Sequence, residues 1–75
     1  MRVRIFLNRP LFTLTTDGHV PRNIGVILGE LTEQGAGGYT ITAESYLDEA
    51  GRPLEGKPRT LIIPTSKVDH VLVEG

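Results

Sequence analysis

The chain has 75 residues, no cysteine and a net charge of −1. That length allows one small domain, and the missing cysteines exclude a disulfide staple, a thiolate nucleophile and a Cys-based zinc site. Val, Ile and Thr number 6, 6 and 8 against 3 Ala, and 23% of residues are charged. This composition argues against a helical bundle, a coiled coil and a disordered tail.

The first expected strand is 2–7, where Val3, Ile5 and Leu7 alternate with Arg2, Arg4 and Phe6, the period of a half-buried strand. Asn8-Arg9-Pro10 ends it. A second strand is expected over 11–16, followed by a turn at 16–19 built on Asp17-Gly18, with Pro21 keeping the chain irregular to about Asn23. Residues 24–31 form an expected strand that is apolar on both faces, with Ile24, Val26 and Leu28 on one and Ile27 and Leu31 on the other. Gly25 and Gly29 share that second face, which allows sharp bending or close approach of another backbone.

Residues 32–38 read as a flexible loop with glycines at 35, 37 and 38. The cleanest alternation is 39–47, with Tyr39, Ile41, Ala43 and Leu47 inward and Thr40, Thr42, Glu44 and Tyr46 outward. A turn at 48–51 suits Gly51. Residues 52–59, with Pro53, Gly56 and Pro58, read as a loop or ragged edge. A short strand over 60–64 stops at Pro64, and 65–67 suit one helical turn with a hydroxyl capping the free amides. The last strand is expected over 68–73. The pattern predicts an all-β fold, a small, strongly bent five- or six-stranded barrel with one short helical turn, and places Ile41 and Ile62 in its core.

The segment LIIPTSKVDHVLVE (61–74), strand, proline, tight turn and Val-rich strand, resembles the close of PRC-barrel and Sm-like domains within the SH3-like barrels. Asp17-Gly18 followed by the strand bearing Gly25 is similar to the Sm-like beginning. The resemblance spans about residues 11–74 and implies a small SH3-like barrel. It does not extend to the uridine site of Sm-like proteins, which places an Arg-Gly pair before the last strand where this chain has Pro64-Thr65. A second likeness, to swapped-hairpin DNA-binding folds, fails on spacing, since ten residues separate Arg52 from Ile63.

No constellation predicts catalysis. His19 and His70 are the only histidines, no set of acids and histidines has metal-ligand spacing, and neither Ser45 nor Ser66 sits in a nucleophile-elbow sequence. The glycines at 35–38 lack the Lys-Ser/Thr of a P-loop. A non-enzymatic protein with no cofactor and no metal is therefore expected. No apolar run approaches the ~20 residues of a membrane helix, and the start is too short for a signal peptide, so the expected location is the cytoplasm.

The charge distribution carries the functional candidates. Residues 1–29 hold Arg2, Arg4, Arg9 and Arg22 against Asp17, a balance of 4 − 1 = +3; residues 30–75 hold four bases against eight acids, a balance of −4. Arg2, Arg4 and Phe6 on one strand face, with Arg9 nearby, match a surface for single-stranded nucleic acid such as RNA, in which phosphates pair with Arg and a base stacks on the ring. The same stripe serves to blunt an edge strand, or to pair with the acidic half of a neighbouring subunit. The second candidate is an oligomer face formed by Ile24, Val26 and Leu28, because one small barrel has one interior and an uncovered apolar strand invites association. The leading expectation is a protein-interaction or assembly module that forms a homo-oligomer, with strand-edge pairing as the route to a protein partner; the alternative is RNA binding through the arginine face.

Overall fold

A computed structural model describes residues 1–15 and 20–74; the expected turn at 16–19, with His19, lies outside them. The elements are β1 (Arg2–Leu7), β2 (Thr13–Thr15), β3 (Pro21–Gly35), β4 (Gly38–Asp48), β5 (Pro53–Leu54), β6 (Arg59–Pro64), a 3-10 turn (Thr65–Lys67) and β7 (Val68–Glu74). The protein is all-β, and the one helical turn among the described residues falls at 65–67, where the sequence places it. No side chain caps that turn, so the expected hydroxyl cap is absent.

β3 and β4 form one long hairpin, paired from Ile24↔Asp48 to Gly35↔Gly38 with only Ala36 and Gly37 at its tip. The expected loop at 32–38 is therefore mostly strand. Its polar residues Thr32, Glu33 and Gln34 face water, while Glu33 and Gln34 stay paired with Thr40 and Tyr39 in the ladder. Each long strand then serves two shorter partners in succession. β3 pairs with β2 over Pro21–Asn23 and with β1 over Val26–Glu30; β4 pairs with β6 over Gly38–Ala43 and with β5 at Tyr46 and Leu47. The main path through the sheet is β5-β4-β3-β1-β7, with β2 and β6 as side branches.

Three bulges bend the hairpin. The register slips at Ile24/Val26, Leu28/Gly29 and Leu31/Glu33, leaving Gly25, Glu44 and Thr32 as unmatched residues. A bulge reverses the side-chain alternation beyond it. On β4, Ile41 and Ala43 point inward, Glu44 and Ser45 are both exposed, and Tyr46 and Asp48 are buried. Tyr46, expected to face outward, is thus a core residue. Its hydroxyl donates to the Lys57 carbonyl at 3.3 Å, and its ring meets Phe12 edge-on at 6.1 Å. Burial pushes the phenol's pKa up, with the nearby Arg59 charge acting in the opposite direction.

The core lies on the concave side, built from Val3 and Ile5 of β1, Ile24 and Ile27 of β3, Ile41, Ala43 and Tyr46 of β4, Leu54, and Ile63 of β6. Ile62, expected in that core, is 75% exposed.

Among the described residues the strand count is seven, and pairing does not close the sheet into the expected barrel. Strand direction supplies the reason. β3 is antiparallel to both β1 and β4, so β1 and β4 run the same way; β6 and β7 are antiparallel to these and therefore run the same way as each other. Parallel neighbours need a crossover of about a dozen residues or more, and three residues link this pair. β6 and β7 act instead as one strand, bent at Pro64 and the 3-10 turn, that passes from the edge of β4 to the edge of β1. Asn8 pins the bend: its backbone N–H donates to the Lys67 carbonyl at 2.9 Å and its side-chain amide to the Ser66 carbonyl at 3.0 Å. At the other end a single bridge joins β2 to the chain after β5, with the Glu55 N–H donating to the Thr15 carbonyl at 2.9 Å.

Candidate functional site

β1 is an interior strand, between β3 and β7, so its arginines do not protect an edge. Its outer face carries Arg2, Arg4 and Phe6 in three cross-strand rows. Arg2 lies between Glu30 and Glu74, Arg4 between Leu28 and Leu72, and Phe6 between Val26 and His70. The Arg2 guanidinium donates to Glu44 at 2.6 Å, Arg4 Nε lies 3.4 Å from Glu74, and the Met1 amino group lies 3.0 Å from Glu30. The basic first part of the chain is thus matched to its acidic second part within one molecule. These pairs are half-exposed, where water screens such contacts and they add little to stability, so their main effect is to cancel charge across the face.

The Phe6 ring is also occupied. His70 stacks on it with centroids 4.2 Å apart and planes 11° from parallel. A nucleic acid would have to displace Glu44 and Glu74 from the arginines and compete with His70 for the ring. Arg9 stands apart beyond the end of β1; it is exposed and has no ion-pair partner among the described residues.

His70 Nδ1 lies 2.7 Å from Asp69 Oδ2. Simple alternation puts these neighbours on opposite faces. A register slip opposite Phe6/Leu7 skips Asp69 and leaves both on the outside. A shallow depression of about 450 Å³ opens beside them, lined by Phe6, Val26, His70 and the turn at 48–51. No three metal-ligating side chains converge among the described residues.

The turn that forms one wall is built around Asp48, which is buried. Its Oδ1 accepts the backbone N–H groups of Ala50 at 2.9 Å and Arg52 at 2.8 Å, while Gly51 takes φ +86°, a conformation suited to glycine. The Arg52 N–H holds the Asp48 carboxyl below the ordinary aspartate range. Burial opposes this, and the Ala50 N–H and the charges of Arg52 and Arg22 reinforce it. A depressed folded-state pKa gives stability that is present above the unfolded pKa and is lost as pH falls through the folded one. Chemical denaturation on a falling pH series is therefore expected to show stability dropping below the ordinary aspartate range. Asp48→Asn, which keeps the acceptor oxygen, is expected to flatten that slope. Equal slopes in the two proteins would remove Asp48 from the account.

Ile24, Val26 and Leu28 do not share a face. The bulge at Gly25 places Ile24 on the core side together with Ile27, while Val26 and Leu28 lie on the outer face in the rows of Phe6 and Arg4. Val26 is only 8% exposed in the single chain, and Leu28 is half-buried.

Two neighbouring exposed apolar side chains lie on β7, Leu72 at 50% and Val73 at 58%, apart from the exposed Ile62 of β6. Among the described residues β7 has β1 as its only sheet neighbour, so its other edge is open. The sequence signal for this edge was its Val-rich end; what could not be read was which strand closes the sheet order. Among the described residues no helix is long and apolar enough to cross a membrane. Compared with known proteins, the chain matches no family model, no curated protein and no solved structure.

Proposed function

We propose that this chain is a non-enzymatic interaction and assembly module that self-associates through an edge of its sheet. The observation that carries this reading is the open edge of β7, a seven-residue strand with Leu72 and Val73 exposed on opposite faces. An edge strand of this kind offers its unpaired backbone groups to another strand, and natural sheets blunt such edges with proline, lysine or bulges where pairing is unwanted. On the side of β4, β6 is preceded by Pro58, begins at Arg59 and ends in Pro64. β7 contains neither proline nor lysine, and its one irregularity, at Asp69, lies near its start, so the pairing over His70–Glu74 is regular. The outer face supports the same reading, since its charges are already matched within the chain and leave no strong field for a polyanion.

Sedimentation velocity across the micromolar range tests this. The expected result is a sedimentation coefficient that rises with concentration toward a dimer. A monomer at every concentration overturns the proposal.

A further inference from the structure

The side-chain order of β7 also specifies a partner and a register. Building on the self-association proposed above, we propose that the occupant of the β7 edge is the β7 strand of a second copy, antiparallel and centred on Leu72.

When two identical strands pair across a two-fold axis, residue i lies opposite residue 2c − i, where c is the residue on the axis. The faces of β7 are set by its pairing with β1. Val71 and Val73 lie opposite Ile5 and Val3 on the core side, while His70, Leu72 and Glu74 lie opposite Phe6, Arg4 and Arg2 on the outside. With c at Leu72, the pairs formed among residues 70–74 all match in chemistry. Leu72 meets the partner's Leu72, Val71 meets the partner's Val73, and His70 meets the partner's Glu74, with the last two pairs each occurring twice. The half-exposed Leu72 and Val73 both gain apolar neighbours, and a carboxylate comes to an imidazole.

Neighbouring registers match less well. With c at Val71, His70 faces the partner's Leu72 and Asp69 faces the partner's Val73. With c at Val73, Leu72 faces the partner's Glu74. With c at His70, the two imidazoles face each other. The Leu72 register would join the two sheets edge to edge through β1-β7 of each copy.

The chain has no cysteine, so introduced thiols report the register directly. Directly opposed residues in an antiparallel pair have Cα atoms ~4.5–5.5 Å apart, inside the ~4.4–6.8 Å range that a disulfide bridges. Positions offset by two residues lie about 7–8 Å apart and fall outside it. Under mild oxidation with glutathione disulfide, Leu72→Cys alone is expected to form a covalent dimer. Val73→Cys alone is expected to remain uncrosslinked, and an equimolar mixture of Val71→Cys and Val73→Cys is expected to give the mixed dimer.

A second variant reads the same contact without oxidation. Leu72→Asp sets two carboxylates face to face and is expected to sediment as a monomer at neutral pH, with circular dichroism reporting a retained β fold. If the unmodified protein dimerises but Leu72→Cys does not crosslink, or Leu72→Asp still dimerises, this register is overturned and self-association stands. If the unmodified protein is monomeric, both proposals fall.

Discussion

Ile63→Ala is expected to cost ~2–5 kcal/mol of folding stability, while Ile62→Ala one position earlier is expected to stay within about 0.5 kcal/mol of the parent protein. The two residues are the same amino acid on the same strand. Ile63 is fully buried in the core, opposite Tyr39, and Ile62 is 75% exposed, opposite Thr40 on the convex side. Removing three carbons from Ile63 leaves a cavity among Ile41, Tyr46 and their neighbours, and the close packing of a β interior limits collapse around it. A 75-residue domain has little stability in reserve, so Ile63→Ala is expected to lower the urea midpoint sharply or to leave the protein partly unfolded. Equal midpoints for the two variants would remove Ile63 from the core, and a reversed contrast would mean that β6 carries the opposite face inward.

That contrast shows where sequence reasoning stops. The run Leu61-Ile62-Ile63 is apolar on both faces, so either alternation fits it; Ile62 was the sequence expectation and its neighbour is the core residue. The register Ile41↔Leu61 and Tyr39↔Ile63 decides the matter, and register is a property of two strands. β1 was legible because Val3 and Ile5 alternate with charged Arg2 and Arg4, which leaves one inward choice. β4 was legible up to Ala43 and inverted afterwards, because the bulge at Glu44 has no local signal: Glu44-Ser45 is an ordinary polar pair whose extra residue appears only against β3.

The candidate site divides in the same way. The opposite charges of the two parts of the chain were visible by counting, but their meeting as Arg2–Glu44 and Arg4–Glu74 depends on β1 lying inside the sheet. That position follows from β1 pairing with β3 on one side and β7 on the other, a property of the whole topology. The exposed Leu72 and Val73 belong to the final strand for the same reason, and no reading of VDHVLV alone distinguishes an edge strand from a covered one.

Gly29→Ala is expected to destabilise the protein by about 3 kcal/mol, the upper part of the usual range for overpacking, and Gly29→Val to prevent folding. Gly29 sits on the core side of β3, opposite Ala43 and directly beside the bulge at Glu44. A methyl group built there would run into the carbonyl oxygen of Thr42 and lie 3.0 Å from the Cα of Ala43. Both obstacles are backbone atoms, so no side-chain rotation relieves the contact; β3 and β4 would have to separate at the point where the hairpin bends. That point lies within the stretch of β3 that also pairs with β1, so the shift would disturb both neighbours of β3 there. Gly35→Ala provides the control. It lies in the same strand with a φ outside the left-handed region and open space around it, so alanine is expected to be neutral or to stabilise by ~0.4–1 kcal/mol through the unfolded chain. Thermal melts of the two alanine variants check the argument directly. Coincident transitions for Gly29→Ala and the parent would show that the bulge yields without cost and that the bend does not depend on a bare position in β3.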